Sequence, residues 1–358
     1  MLVVGAGVSG LTTALCLKRR GFSVTVVADR FAPQVTSVVA GALWEWPPAV
    51  CGHHRDLVSL RRSKVWCQAS FQIFENLARQ PETGTFLRPV TYYFRHPIED
   101  DPVHRVKMEE LKEFVTGFRH DPALIREHGI NPELGLLDAY THVAPMVDTD
   151  AYMQWLLGEV RKLGCRILEF KITGSLSAQA RTLGRQFEVD AIVNCAGLGA
   201  RELTGDAVYP LRGALVRVCN DGKAMPRVTE AHCISYDDSQ TDRGFVFIVP
   251  RGENMLVLGG LAEPGEWNLD IGLDNYEPVR DMLARCVEFM PALKTAEIDA
   301  AEPVRVGLRP VRNQNVRLEL EAGTRLVHNY GHGGSGVTFS WGCALEAVEL
   351  ILSLTKNP

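Results

Sequence analysis

Leu2-Val3-Val4-Gly5-Ala6-Gly7-Val8-Ser9-Gly10-Leu11 decides the fold of this chain. Its three apolar residues read as a short buried strand. The run from Gly5 to Gly10 is a GxGxxG, and Leu11, Ala14, Leu15 and Lys18 follow at helical spacing. Gly21 fits a helix stop, and Val24-Thr25-Val26-Val27 reads as a second strand. Strand, glycine turn, helix and strand form the unit of a doubly wound parallel sheet. Gly5 permits the tight turn, Gly7 lets the backbone approach a pyrophosphate, and Gly10 lets the helix pack on the strand. The helix N-terminus adds free N–H groups and a positive dipole end. Asp29 closes the second strand, where a carboxylate accepts from ribose hydroxyls. A chance glycine turn explains the run alone, but not the run with strand, helix and acid in place.

A second glycine run stands near the other end: His328-Asn329-Tyr330-Gly331-His332-Gly333-Gly334-Ser335-Gly336-Val337-Thr338. A strand, Arg325–Asn329, leads into it, and a helix from about Trp341 to Leu354 follows. Such a loop brings backbone donors to the far end of a dinucleotide. It argues for a flavin over a nicotinamide.

Between the two loops the reading is mixed. Tyr152–Leu163 is an amphipathic helix with Met153, Leu156, Leu157 and Val160 on one side. Ala191–Asn194 is a buried strand that runs into the turn Cys195–Gly199. Strands are expected at Ala214–Val218, Phe245–Val249 and Met255–Leu258, and a helix over 275–289. These segments suggest interleaved domains. The first is discontinuous and holds the nucleotide: 1–50, 141–205 and 300–358. The second, 51–140 and 206–299, binds substrate.

Of the 358 residues, 46% are hydrophobic and 23% charged, which supports a substantial core. A net charge of -5 with mixed signs gives no case for nucleic acid or an anionic membrane surface. The sequence reading finds no apolar run of the roughly 18 residues that a membrane span needs. The apolar start lacks a basic segment before it and is broken by glycines, unlike a signal peptide. Nine cysteines without a CxxC are expected as reduced, mostly buried thiols in a cytoplasmic protein. Cys51, His53 and His54 lie close together but lack a second ligand pair, so no metal is expected.

The chain resembles the D-amino-acid oxidase family of FAD enzymes, which includes glycine oxidase-like members. The resemblance rests on ordered motifs: Gly5–Gly10; Ala28-Asp29-Arg30-Phe31 and then Ala40-Gly41-Ala42-Leu43-Trp44; Tyr152–Leu156; Val193–Gly197; Gly259-Gly260 with Trp267; Val306–Arg312; and the loop at 328–338 with Trp341-Gly342. Coverage is weakest over about 50–140. The resemblance implies an α/β fold: a Rossmann-type FAD domain interleaved with a substrate domain on a large antiparallel sheet. It implies non-covalent FAD. It implies oxidation of a D-amino acid by hydride transfer to flavin N5, with O2 reoxidising the flavin and releasing H2O2. Water then converts the imino acid to a 2-oxo acid and ammonia.

Carried over by position, the resemblance places the pyrophosphate at Gly5, Gly7, Val8 and Gly10. Adenosine falls to Asp29 and Arg30. Thr36 and Ser37 match a polar pair near the pyrophosphate. Gly41, Ala42 and Leu43 match backbone facing the isoalloxazine. Gly333, Gly336, Val337 and Thr338 match the flavin side of the second loop. Donors leading into the closing helix suit the negative charge that reduction puts near N1 and the C2 oxygen.

Arg309 matches the family's carboxylate-binding arginine, and a guanidinium holds a carboxylate bidentately. Arg312 and Arg317, close by, are expected in structural ion pairs. Gly334 matches the residue whose carbonyl accepts from the substrate amine. Phe247 departs from the pattern: the family usually has a tyrosine there, and losing a hydroxyl to a charged acceptor costs about 1.5–3 kcal/mol. Ser335 also departs, since vertebrate members often carry tyrosine there. Tyr236, upstream near the lid loop, is a candidate replacement hydroxyl. Trp44, Trp46, Trp267 and Trp341 are expected in the core, and His332 in a structural hydrogen bond. Phe247 keeps other amines open as substrates: glycine, sarcosine or a biosynthetic intermediate. Acidic D-amino acids want a second pocket cation, which the sequence does not place. A nicotinamide reductase and a flavin protein without turnover are the remaining alternatives. A homodimer is compatible with the sequence.

Overall fold

The computed structural model describes residues 1–47, 54, 56–234 and 245–356. Among these, two sheets carry the fold. The smaller has six strands, in the order Arg317–Leu320, Leu326–Tyr330, Ile192–Asn194, Leu2–Val4, Thr25–Ala28 and Arg166–Glu169. All neighbours are parallel except the edge strand Arg317–Leu320. Leu2–Val4 thus lies between its sequence neighbour and a strand almost two hundred residues away. Strand order reverses there, and the crevice at the carboxyl ends of the two central strands is where such sheets take ligands.

The first helix, Val8–Arg19, buries every residue from Gly10 to Leu17. That all-round burial exceeds what one sheet covers, and the reason is the closing helix, Gly336–Lys356, packed on it. The helix Leu57–Leu77 packs on the closing helix in turn. The closing helix is the one described helix long and apolar enough, by length and composition, to cross a membrane. The sequence reading missed that run; here much of it is core. Its start also differs from the expected Trp341. Glycines read as breakers, yet Gly336 sits in a first turn, where the helix needs no side chain and the N–H groups have no partner inside it.

The larger sheet has nine strands among the described residues. They include Thr85–Phe94, Asp138–Val147, Val208–Cys219, Ala231–Ile234, Val246–Arg251, Met255–Gly259 and Val304–Arg312. Neighbours are antiparallel with one exception: Val90–Tyr93 runs parallel to Ala231–Ile234. A parallel pair needs a long crossover, and the intervening chain, which visits the smaller sheet, supplies it. Val304–Arg312 lies within the 300–358 segment but pairs along Val208–Cys219 in the larger sheet.

Register fixes the sheet's inner face. Tyr92 pairs with Cys233, Cys233 with Phe247, Phe247 with Gly259, and Gly259 with Leu215. Residues directly opposite one another project to one side, so this row forms a continuous floor. The floor faces the smaller sheet's switch point.

Candidate active site

A cleft of about 1280 Å³ opens between that floor and the carboxyl ends of the smaller sheet. Its upper end is built from backbone. Gly5 has φ +113, and a Cβ there would lie 2.4 Å from the Cys195 carbonyl oxygen. No other residue type fits a left-handed turn against a neighbouring strand so closely. Gly7, Val8, Asp29, Arg30 and Thr36 line this end. Ser37 lines it too, and its Oγ accepts from Val8 N at 2.9 Å, thereby capping the first helix. Gly10 does not line the cleft. A Cβ on it would sit 1.9 Å from the Gly5 carbonyl oxygen, so its role is packing, as its place in the motif requires.

The second glycine run reaches the same cleft. Gly333, Gly334, Gly336 and Val337 line it, with Gly333 at φ +55. Thr338, carried over as a contact residue, is not among the lining residues: one step further round the helix, its side chain is buried. His332 is buried beside the cleft and held in a chain of hydrogen bonds. Its Nε2 donates to Asn329 Oδ1 at 3.0 Å, and Asn329 Nδ2 donates to Thr13 Oγ1 at 3.1 Å. Thr13 Oγ1 donates to the Ser9 carbonyl at 2.7 Å. The chain ties the second loop to the first helix. Burial pulls His332 down to about 4, so it is neutral and structural.

Gly41, Ala42 and Leu43 form one wall. The loop is docked on Asp138–Val147: Trp44 N donates to the Pro145 carbonyl at 2.9 Å, and Val147 N to the Ala42 carbonyl at 3.0 Å. Phe247 presses on this wall from the floor, with Cε1 and Cζ 2.6 Å from where a Gly41 Cβ would stand. Phe245 lines the cleft as well.

Arg309 lines the substrate end and is half-buried. Its Nη1 donates to the Leu261 carbonyl at 3.2 Å, and among the described residues no carboxylate pairs with it. Its seat is Gly213 on the adjoining strand, where a Cβ would lie 2.2 Å from Nη1. Arg312 and Arg317 behave otherwise. Arg312 Nε lies 2.7 Å from Asp206, while Arg317 Nε lies 2.8 Å from Glu319. Tyr236 lies outside the described residues.

Sequence reasoning missed three residues here. Tyr92 and Glu45 line the cleft, and Lys107 Nζ sits 2.7 Å from Glu45 Oε1. Lys107 is itself buried and does not line the cleft, so of the pair it is Glu45 that borders the pocket. The Tyr92 hydroxyl is buried and has no hydrogen-bond partner among the described residues. All three fall in or beside the stretch of weakest resemblance, and an isolated Glu–Lys pair carries no spacing signal. Of the tryptophans, Trp44, Trp46 and Trp341 are core, each with its indole N–H bonded. Trp267 is not: it is half-exposed on the cleft rim, in the loop after the short strand Glu263–Pro264. Cys51 and His53 lie outside the described residues, and His54 Nε2 sits 2.8 Å from Ser63 Oγ.

A glycine cradle at a sheet switch point, a second backbone loop across the cleft and an arginine without an acid partner among the described residues define a dinucleotide-dependent oxidoreductase. The chain belongs to the D-amino-acid oxidase and glycine oxidase family of FAD-dependent oxidoreductases: a family model described as FAD dependent oxidoreductase matches residues 1–350. It is 38% identical to a D-amino-acid oxidase of Rubrobacter xylanophilus, over 98% of this chain and 94% of that protein. It is 31% identical to human D-aspartate oxidase, over 98% and 93%. In fold it is similar to glycine oxidase from Geobacillus kaustophilus, with a TM-score of 0.75, 16% identity and coverage of 98% and 94%. The cofactor is non-covalent FAD. The cradle suits it, because Gly5 makes the tight turn and Gly7 keeps the backbone open to a pyrophosphate at the helix N-terminus.

Proposed function

We propose that this protein oxidises D-amino acids with uncharged side chains. Arg309 carries the reading. Its guanidinium lines the cleft, seated by a glycine and without a carboxylate partner among the described residues, and is suited to a substrate carboxylate. The Gly334 carbonyl, at the same cleft, accepts from the substrate amine. Two fixed contacts leave the α-carbon a single presentation, and positioning is the main contribution the protein makes to such a reaction. FAD, once held by the glycine cradle and the second loop, would supply the two-electron acceptor for the hydride that leaves the α-carbon. The amine nitrogen loses a proton, and the imino acid hydrolyses to a 2-oxo acid and ammonia. O2 takes up two electrons and two protons to give H2O2.

Glu45 supports the restriction on side chain. An acidic substrate meets a carboxylate at the pocket wall, and Lys107 behind it is already engaged. The relatives named above include both a D-amino-acid and a D-aspartate oxidase, so this wall is the relevant feature. A second reading follows from Phe247. Without a tyrosine hydroxyl, and with the ring tight against Gly41, a smaller amine such as glycine or sarcosine is the alternative substrate.

The test is anaerobic bleaching of the purified yellow protein by a panel of D-amino acids, glycine and sarcosine. Bleaching by D-alanine or D-valine, with peroxide release on admitting air, is expected. Bleaching by glycine or sarcosine alone moves the assignment to the second reading.

A further inference from the structure

Arg251 is a buried cation that touches neither the proposed substrate contacts nor Arg309. It is 4% exposed, and among the described residues no carboxylate pairs with it. Neutral oxygens hold it instead. Nη1 donates to Thr149 Oγ1, and Nη2 donates to the carbonyls of Ala40 at 2.8 Å and Gly41 at 3.1 Å. Asp148 and Asp150 favour its charge only from a distance, against Arg305 and Arg217, so burying it without a directly bonded counter-charge is costly and its neighbours must be organised around it.

The two accepting carbonyls have a consequence for the other side of the loop. Both peptides are trans, and a trans peptide points its N–H opposite its C=O. With the Ala40 and Gly41 carbonyls turned to Arg251, the N–H groups of Gly41 and Ala42 turn away from it. Gly41 and Ala42 line the cleft. Ala42 is held at φ +53, a left-handed conformation that costs an alanine roughly 1–2 kcal/mol. Successive backbone amides turned the same way make an anion-favouring surface. The Ala42 carbonyl is fixed from a third direction by Val147 N.

We propose that Arg251 is a positioning residue for the flavin: through the Ala40 and Gly41 carbonyls it presets the Gly41 and Ala42 amides as donors toward the FAD ring. It also places a buried positive charge behind them, with the Asp148 and Asp150 carboxylates acting on it from further off. Burial brings its guanidinium down to about 10, which leaves it charged at neutral pH. Negative charge that collects on the ring then meets donors that need no reorganisation. The inference rests on FAD seated against residues 41–43 and not on the substrate proposed above.

The experiment uses the FAD-loaded protein and no amino acid. Sulfite adds reversibly at flavin N5 to give a bleached anionic adduct, so its affinity reports the charge environment of the ring. Arg251→Met is expected to bind sulfite about tenfold more weakly and to release FAD about tenfold more readily, with Arg251→Lys in between. Thr149→Val, which removes one guanidinium acceptor and leaves the carbonyl contacts, is expected to shift sulfite affinity a few-fold in the same direction. A folded, FAD-loaded Arg251→Met with unchanged sulfite affinity and visible spectrum overturns the proposal. If Arg251→Met does not load FAD, unchanged sulfite affinity in both Thr149→Val and Arg251→Lys overturns it equally.

Discussion

The two ends of the cleft are built by different rules. The cofactor end uses backbone: the Gly5 turn, the open face of Gly7, the first turn of the closing helix and the 41–43 wall. The substrate end uses side chains brought in by strand register: Arg309 from one strand, Phe247 from another, Tyr92 from a third. A backbone site tolerates almost no added atoms, because the chain itself is the contact. A side-chain site tolerates exchange, and its chemistry changes with each exchange. Substitutions at the first end are therefore expected to remove the protein or its cofactor, and at the second to change what is oxidised.

The largest effect is expected at Gly10. A Cβ 1.9 Å from the Gly5 carbonyl oxygen forces the first helix off its strand, where no flexible side chain is available to yield. Gly10→Ala is expected to cost about 3 kcal/mol or more and to give colourless protein with a lowered unfolding midpoint. A yellow, stable Gly10→Ala would break the backbone rule outright. Next comes Arg309→Met. Losing a charged clamp costs roughly 2–5 kcal/mol, so kcat/KM for a D-amino acid is expected to fall by about 10²–10³-fold. The flavin spectrum and the unfolding midpoint should stay as they were. Loss of colour as well would mean that the two ends are not separable.

His332 gives the cofactor end a pH signature. Its folded-state value, about 4, lies below the ordinary 6.5 of histidine. The unfolded chain therefore binds the extra proton first as pH falls. The stability is full above about pH 6.5 and is lost progressively down to about pH 4, in total about 3 kcal/mol. Unfolding midpoints measured across that window should fall, and His332→Gln should flatten part of the slope.

These rules also explain what was legible in the sequence. Gly5, Gly7 and Gly10 were readable because backbone donors demand glycine at fixed spacing, and the strand–helix–strand around them repeats the same demand at the level of burial. The closing helix was misplaced by five residues for the converse reason: Gly336 serves the cleft and so does not read as helix. Arg309 was readable only through resemblance, since one arginine among Arg309, Arg312 and Arg317 has no local mark of function. Structure separates them by partner: Asp206 and Glu319 for two, a glycine seat for the third. Tyr92, Glu45 and Lys107 carry no motif. Sheet register and loop docking alone bring them to one pocket, and no spacing along the chain records that.

Glu45→Gln sharpens the substrate end. It removes the negative charge from the wall, so an acidic side chain meets a neutral amide where it met repulsion. Turnover of D-aspartate relative to D-alanine is expected to rise about tenfold in kcat/KM. No change in that ratio would show that the substrate side chain does not reach Glu45.

Phe247→Tyr is expected to have the smallest effect, because two terms oppose each other there. A hydroxyl that reaches the substrate carboxylate adds a hydrogen bond to a charged group, about 1.5–3 kcal/mol. The ring, however, already lies against Gly41, and Cζ, the atom that would carry the hydroxyl, is one of its two closest atoms. Seating the oxygen requires the ring or the 41–43 wall to shift, and overpacking of that kind costs about 1–3 kcal/mol. The terms nearly cancel, so KM for a D-amino acid is expected to fall by no more than about tenfold with kcat unchanged. The flavin spectrum decides which term prevails. An unchanged spectrum with lower KM means that the hydroxyl clears the wall and binds substrate. A shifted spectrum with higher KM means that Phe247 serves the cofactor wall, and the boundary between the two ends then runs through this ring.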